Sequence, residues 1–413
     1  MNNPVGTLPI ADSNSPAITA ALGAWELGTM LTVMAGAVLF VTALLGSRLP
    51  ALTPDTPSHT RWIDGLRGAA ATLVVLNHGP LVLDSLSIAP LNFSLGETDK
   101  TLMIQLGRIG VHLFFCITGF LFAGKLMNAA HIDWSGFFVQ RLRRLVPAYA
   151  AAVAAAVGVV AVFARPDGAF LVDAARALPN MLSFGLYSLP HIGDFDTGKL
   201  LGMNWTLAYE WQFYALLPLM FALVRAVPLP AGLGIVGLTL AFSLVAGPGV
   251  WVFFAVGALA APLARSEPPA WLRMALRIGL AVVLASMVLH WQKAAHSQAV
   301  QGLHISALFF LLVLLRPAGL TLRPLVAAGT ISYSLYIFHL MVLYLVVGLC
   351  HRFLFDVAAL SVPAFTALLG ATAALAALWS TFTYMMVERP FLRPSRYSEA
   401  VARHRPALQQ REG

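Results

Sequence analysis

Apolar runs close to twenty residues long recur along almost the whole chain, each about the length that crosses a hydrocarbon core as a helix. Such helices bond their own backbone, as a bilayer requires, and the short alternating segments of an outer-membrane barrel are absent. Only 11% of the residues are charged and 59% are hydrophobic, against about 25% charged in a soluble domain. The expected fold is therefore all-α, a polytopic transmembrane helical bundle.

Eleven spans are expected, at about 17–46, 62–85, 105–125, 146–164, 203–224, 231–247, 249–264, 272–290, 302–316, 326–349 and 362–387. The first run carries Glu26, lacks a basic leader and exceeds the roughly 7 to 15 apolar residues of a signal sequence, so it reads as a retained helix. With the N-terminus outside and the C-terminus inside, only Lys100, Arg108, Arg165, Arg176, Lys199, Lys293 and Arg352 of the 26 basic residues fall outside. That asymmetry fixes the orientation as N-out and C-in. It also accounts for the net charge of +8, so nucleic acid is not implied as a partner. Cys116 and Cys350 lie in apolar runs and suggest neither a disulfide framework nor a metal site. No internal repeat of a transporter kind stands out, and no soluble domain is expected. Three units are expected: an extra N-terminal helix with its cytoplasmic linker (1–60), a membrane-embedded domain (61–391) and a basic cytoplasmic tail (392–413).

Within the second span, LRGAAATLVVLNH holds Arg67 and His78 eleven residues apart. At about 100° per residue that is close to three turns, so both side chains share one face, separated by roughly 16 Å. Arg67 belongs near the cytoplasmic boundary, where it is also an ordinary snorkelling residue. His78 belongs beyond the midplane, where an ionisable group is costly and usually marks a site. In the loop FFVQRLRRLVPAY, Arg141, Arg143 and Arg144 set three guanidiniums within four residues, suited to phosphate and equally to anionic lipid headgroups. Entering from outside, NWTLAYEWQFY aligns Thr206, Glu210 and Tyr214 at i, i+4 spacing. Glu210 should lie at a depth near that of His78 and is expected to pair with it, orienting the imidazole as a general base. Ser332, Tyr336 and His339 form a further stripe that lines a chamber or joins helices, and Arg108 with His112 forms a similar pair near the outer face.

Six stretches carry a resemblance: WIDGLRGAAATLVVLNH, GRIGVHLFFCITGFL, FFVQRLRRLVPAY, NWTLAYEWQFYALLPL, ISYSLYIFHL and VERPF, in that order from 62 to 391. Together they resemble the acyltransferase-3 family, the bacterial membrane-bound O-acyltransferases of envelope and secreted carbohydrates. By that resemblance, Arg67 and His78 match the family's arginine, ten residues, histidine motif and are implicated in activity. Arg141 and Arg144 match its paired arginines, and Glu210 its motif glutamate, with Thr206 replacing the usual serine. The resemblance implies an enzyme of the bacterial inner membrane that takes an acyl group, acetyl by default, from cytoplasmic acyl-CoA to a carbohydrate hydroxyl. No permanently bound cofactor and no metal are implied; acyl-CoA is the donor substrate, a glycan or glycoconjugate the acceptor, and membrane lipid the surroundings. Two features depart from the family pattern: the helix at 17–46, and the lack of the esterase-like domain that some members carry after the membrane region.

The proposed division of labour sends the donor's phosphates to Arg141, Arg143 and Arg144 and its thioester along the Arg67 stripe. His78 and Glu210 then act on an acceptor hydroxyl, either directly or through a covalent acyl group on His78. Thr206, Tyr214, Ser332, Tyr336 and His339 line the chamber. The rival reading is a transporter of a small anion or lipid-linked sugar, with Arg67, His78 and Glu210 as a proton-coupled path. A structural scaffold is the third, and it leaves three ionisable groups at depth without a purpose.

Overall fold

The structure is a computed structural model that describes residues 21–54, 58–163, 169–226, 231–232, 234 and 249–392. Helix α1 (Ala24–Arg48) starts where the Glu26 carboxylate turns back to accept the Gly23 amide at 2.8 Å. That local bond satisfies one of the amides every helix start leaves open. It is followed by α2 (Ser58–Leu86), α3 (Glu97–Asn128) and α4 (Trp134–Phe163). Next come α5 (Phe170–Met181), a two-stranded antiparallel hairpin (β1, His191–Ile192; β2, Phe195–Asp196) and the single turn α6 (Gly198–Leu201). The chain re-enters the bundle as α7 (Trp205–Ala226), and the short α8 (Trp251–Ala260) runs on as a tight turn to Arg265. Then α9 (Ala270–Leu289), α10 (Trp291–His296) and α11 (Gln298–Leu315) precede α12 (Arg323–Thr330) and α13 (Ser332–Leu349). Helix α14 (Val362–Thr383) continues through a π-helical turn, Tyr384–Glu388, into α15 (Arg389–Leu392).

Eight described helices are long and apolar enough to cross a membrane: α1, α2, α3, α4, α9, α11, α13 with its extension, and α14 with its extension. The protein is thus a multi-pass helical membrane protein. The expectation of eleven spans is not reached among the described residues, for identifiable reasons. The 203–224 run is α7, which at 22 residues has spanning length but is not among the eight. The run expected at 231–247 lies outside the described residues apart from three positions, as does the basic tail from 393. The 249–264 run is α8 with its turn, ending at Arg265; at about 1.5 Å per residue it falls short of a roughly 30 Å core.

The run expected at 326–349 is not one helix either, because the chain leaves helical geometry at Ile331 (φ −90°, ψ 6°) and restarts at Ser332. The cause is the approach of α12 to α2. A Cβ on Gly329 would overlap the carbonyl oxygen of Asp64, and one on Gly68 would overlap that of Leu325. Hydrogen alone at both positions lets the two backbones touch, which is how small residues hold membrane helices together. The contact brings Arg67 of α2 beside Ser332 at the head of α13. Replacing Gly329 with leucine should cost about 1–3 kcal/mol through overpacking and shift Arg67 away from Ser332. Thermal unfolding of the purified variant in detergent measures this, and an unchanged midpoint would mean that the helices do not touch.

The extra N-terminal helix is part of the bundle: Met30, Met34 and Val38 of α1 are fully buried, in one cluster with Phe365, Leu369 and Ala373 of α14 and Val75 of α2. A larger cluster centred on α3, α4, α7 and α8 surrounds the site. At the other extreme, α9 has no buried residue, and its apolar side chains face outward.

Candidate active site

Five helices meet around one cavity of about 150 Å³. Arg67 comes from α2, Arg141 and Arg144 from α4, Thr206, Glu210 and Tyr214 from α7, and Ser332, Tyr333 and Tyr336 from α13, while α3 supplies an apolar wall that includes Phe115 and Phe122. Residues spread over nearly 270 positions of sequence are brought together, as the motifs led one to expect.

Most of the polar side chains are held by a neighbour. Arg67 donates from Nη2 to the Ser332 hydroxyl at 3.0 Å and lies 4.0 Å from the Asp64 carboxylate one turn earlier. Arg141 sits in an aromatic cage, its guanidinium carbon 5.5 Å from the centre of Phe122, 5.8 Å from Phe137 and 5.9 Å from Tyr214. Such faces attract a cation without neutralising it. Its Nε is buried without a hydrogen-bond partner. Neither Arg141 nor Arg144 forms an ion pair among the described residues. Tyr214 donates its hydroxyl to the Glu210 carboxylate, and Thr206 shares a 2.9 Å hydrogen bond with Tyr336. Arg141, Arg143 and Arg144 were expected in a loop but lie within helix α4, and Tyr333 ties α13 to that helix by donating to the Leu145 carbonyl at 2.8 Å, two residues before Pro147, next to the arginines.

Arg143 is exposed and takes no part in the cavity, because its i−1 neighbour relation to Arg144 turns it about 100° away. Two of the three arginines expected to act together therefore line one cavity.

The histidines form a second centre beside the first. His78 lies two residues before Pro80, whose missing amide leaves the Leu76 carbonyl without its usual helical donor. Its Nε2 is 2.9 Å from Nδ2 of Asn77, and its ring centre is 5.2 Å from that of His339. His339 is fully buried and donates from Nδ1 to the carbonyls of Leu335 and Tyr336, which leaves the Nε2 lone pair unpartnered. His339 was expected to line the chamber but stands one layer behind it, separated by Tyr336, whose ring centre is 6.2 Å away.

The expected pairing of His78 with Glu210 is not what the helices arrange. Similar depth along the membrane normal does not mean adjacency: α2 packs on α3, α12 and α13, whereas α7 reaches the cavity against α3. Glu210 faces the arginine side, where its charge acts on Arg67 and Arg144, and the partners of His78 are Asn77 and His339.

Three contributors escaped the sequence reading. Glu388, only 1% exposed, accepts from the Ser334 hydroxyl at 3.0 Å and lies within electrostatic reach of Arg144 and Arg67. It stands inside VERPF at the end of an apolar run, and a carboxylate there carries the same desolvation cost that singled out Glu210. Asn77 sits next to His78 in sequence, and Tyr333 precedes Ser334 and Tyr336 on one helix. Glu388→Leu should destabilise the protein by about 1–3 kcal/mol, since it strands a buried hydroxyl. Glu388→Gln should recover part of that loss, because a side-chain amide oxygen can still accept from the Ser334 hydroxyl. Thermal unfolding of both variants checks the split.

A family model described as an acyltransferase domain matches residues 60–381. The chain is 30% identical over 171 residues to the putative peptidoglycan O-acetyltransferase YrhL of Bacillus subtilis, covering 39% of this chain and 24% of that one. It is 26% identical over 275 residues to the O-acetyltransferase OatA of Staphylococcus aureus (56% and 45%), and 27% over 164 residues to the peptidoglycan O-acetyltransferase OatA of Listeria monocytogenes (38% and 23%). The chain spans less than half the length of each of these relatives. No solved structure matches it.

Proposed function

Because the chain belongs to the acyltransferase-3 family, we propose that its cavity is the donor site of an O-acyltransferase that moves an acetyl group from acetyl-CoA to a hydroxyl of an envelope glycan. The observation that carries the reading is the pair of guanidiniums, Arg141 and Arg144, that form no ion pair among the described residues and stand on the wall of a cavity that also holds Arg67. Glu210 and Glu388 lie within electrostatic reach of Arg144 without bonding it, so its guanidinium donors remain for an anionic ligand. The phosphates of a nucleotide-bearing donor supply the anion. The peptidoglycan named for two of the relatives makes an amino-sugar polymer the first acceptor to try.

In this reading the arginine end faces the cytoplasm, as the positive-inside rule favours. A donor docked there extends its thioester past Arg67 and Ser332 toward Thr206 and Tyr336. Behind Tyr336, the His78 and His339 imidazoles hold the proton acceptor. The Asn77 side-chain NH2 donates to Nε2 of His78, so Nε2 holds the lone pair of the imidazole; on release from Asn77 it takes the proton of the acceptor hydroxyl as the hydroxyl oxygen attacks the thioester carbonyl. The thiolate leaves toward the arginines, where positive charge favours it. Glu210, bonded to Tyr214, balances the arginines when the cavity is empty.

The test is release of free thiol from acetyl-CoA by purified protein in nanodiscs given a soluble β-1,4-linked N-acetylglucosamine oligomer. Acceptor-dependent release is expected. Movement of the glycan without thiol release would replace this reading with transport.

A further inference from the structure

A second polar region lies on the opposite face of α3 from the arginine cavity. Thr98, Thr101, Gln105, Arg108 and His112 follow one another at three- and four-residue spacing, and therefore form one stripe along α3. The stripe faces α10 and α11: Arg108 donates to the Ala295 carbonyl at 2.9 Å, and α3 packs against both helices. Near the start of α11, Gln301 is buried, and His304 bonds from Nε2 to the Ser286 hydroxyl of α9 at 2.9 Å.

This region is short of partners. Gln105 and Gln301 are each 4% exposed, yet among the described residues the Gln105 side-chain oxygen and the Gln301 side-chain nitrogen have no hydrogen-bond partner. Nδ1 of His112 and Nδ1 of His304 are likewise buried and unpartnered. A buried amide without a partner costs free energy that a helix bundle ordinarily avoids, more so where no bulk water reaches. The two amides alone require a donor and an acceptor, and no fixed charge. Hydroxyl groups satisfy both.

Beside this region, between the first turns of α3 and α10, opens a pocket lined by Glu97, Thr101, Trp291, Gln292 and Lys293. Gln105 is not itself a lining residue and follows Thr101 one turn along the same face of α3. The pocket's volume of about 480 Å³ falls in the range of small-ligand sites. Charges of both signs line it, which argues against a simple anion or cation site, and a partly exposed indole offers a flat apolar face. An aromatic platform ringed by mixed donors and acceptors matches a sugar ring, apolar on its C–H face and hydroxylated at its rim.

We propose that this α3/α10 pocket is a glycan-anchoring site that holds a distal sugar unit of the acceptor, away from the reacting hydroxyl. The proposal rests on the acyltransferase reading for the identity of the glycan. The innermost α3 residue of this pocket, Thr101, and the outermost α3 residue of the arginine cavity, Val111, are ten residues apart, about 15 Å along the helix. They also lie on different faces of it. One sugar cannot occupy both sites, whereas an oligomer of several units passing over the outer end of α3 can. Binding energy gathered at such a remote site selects polymer over monomer.

The experiment uses the full chain in nanodiscs and a hexamer of β-1,4-linked N-acetylglucosamine, with the disaccharide as the short probe. Trp291→Ala is expected to weaken hexamer binding at least tenfold and to raise the acceptor KM for the hexamer alike. The disaccharide KM and the acetyl-CoA KM should stay unchanged. Trp291→Phe should restore most of the loss. Gln105→Leu should weaken hexamer binding while raising the thermal midpoint, because it deletes an unsatisfied buried amide; a purely structural glutamine would lower it. Hexamer affinity equal to wild type in both Trp291→Ala and Gln105→Leu overturns the proposal even if acetyl transfer proceeds. Hexamer binding that depends on Trp291 in a protein that releases no thiol keeps the site and removes the acyltransferase reading instead.

Discussion

His78→Ala is expected to lower acetyl transfer by about 10²- to 10⁴-fold, the usual contribution of a positioned general base, with little change in the KM for acetyl-CoA. The reasoning is geometric. His78 stands apart from the cavity that receives the donor, so its loss should leave donor binding intact. Its ring is set by Asn77 at 2.9 Å and by His339 at 5.2 Å between ring centres, and among the described residues it has no carboxylate partner. Asn77→Ala should therefore lower turnover as well, by less, because the imidazole remains but loses its orientation. Asn77→Asp should not restore the native rate: it swaps a neutral amide for a charge. An unaltered rate in His78→Ala, in protein with a native thermal midpoint, would remove the imidazole from the reaction.

The second large effect concerns the arginines. Arg141→Ala and Arg144→Ala should each raise the KM for acetyl-CoA by roughly 10- to 150-fold, equivalent to the about 1.5–3 kcal/mol of a hydrogen bond to a charged group. Turnover at saturation should fall much less. Lysine at position 144 should recover part of the affinity, since charge returns without the guanidinium's paired donors. Arg143→Ala is the internal control: its side chain is exposed outside the cavity and its removal should leave KM unchanged. Equal effects at 143 and 144 would indicate a general surface field in place of a built site.

Much of this arrangement is legible in the sequence because the bilayer makes polar residues costly. The apolar runs predict the helices, and Arg67, Arg141, Arg144, Thr206, Glu210, Tyr214, Ser332 and Tyr336 do line one cavity. Periodicity states which residues share a face of one helix but not which helix that face meets. For that reason Glu210 is assigned to His78 on depth alone, whereas the fold turns it toward Arg67 and Arg144. The same limit places His339 in the chamber when its partners are the Leu335 and Tyr336 carbonyls of its own helix. The break at Ile331 is hidden for another reason: it arises from the contact of Gly329 with α2, which no local pattern announces. Glu388 is visible as a residue, and its importance follows only once α14 is seen to end beside α13 and α4.

Single-turnover thiol release tests most directly the claim that the arginine cavity takes the donor and that an imidazole beside it takes the acceptor's proton during acyl transfer. Purified wild-type protein in nanodiscs is mixed with acetyl-CoA, with and without the N-acetylglucosamine oligomer, beside His78→Ala and Arg144→Ala. The account predicts acceptor-dependent thiol release in wild type, almost none in His78→Ala at any donor concentration, and release in Arg144→Ala that recovers as acetyl-CoA is raised. Release that persists in His78→Ala, or an Arg144→Ala defect that no donor concentration overcomes, would contradict it.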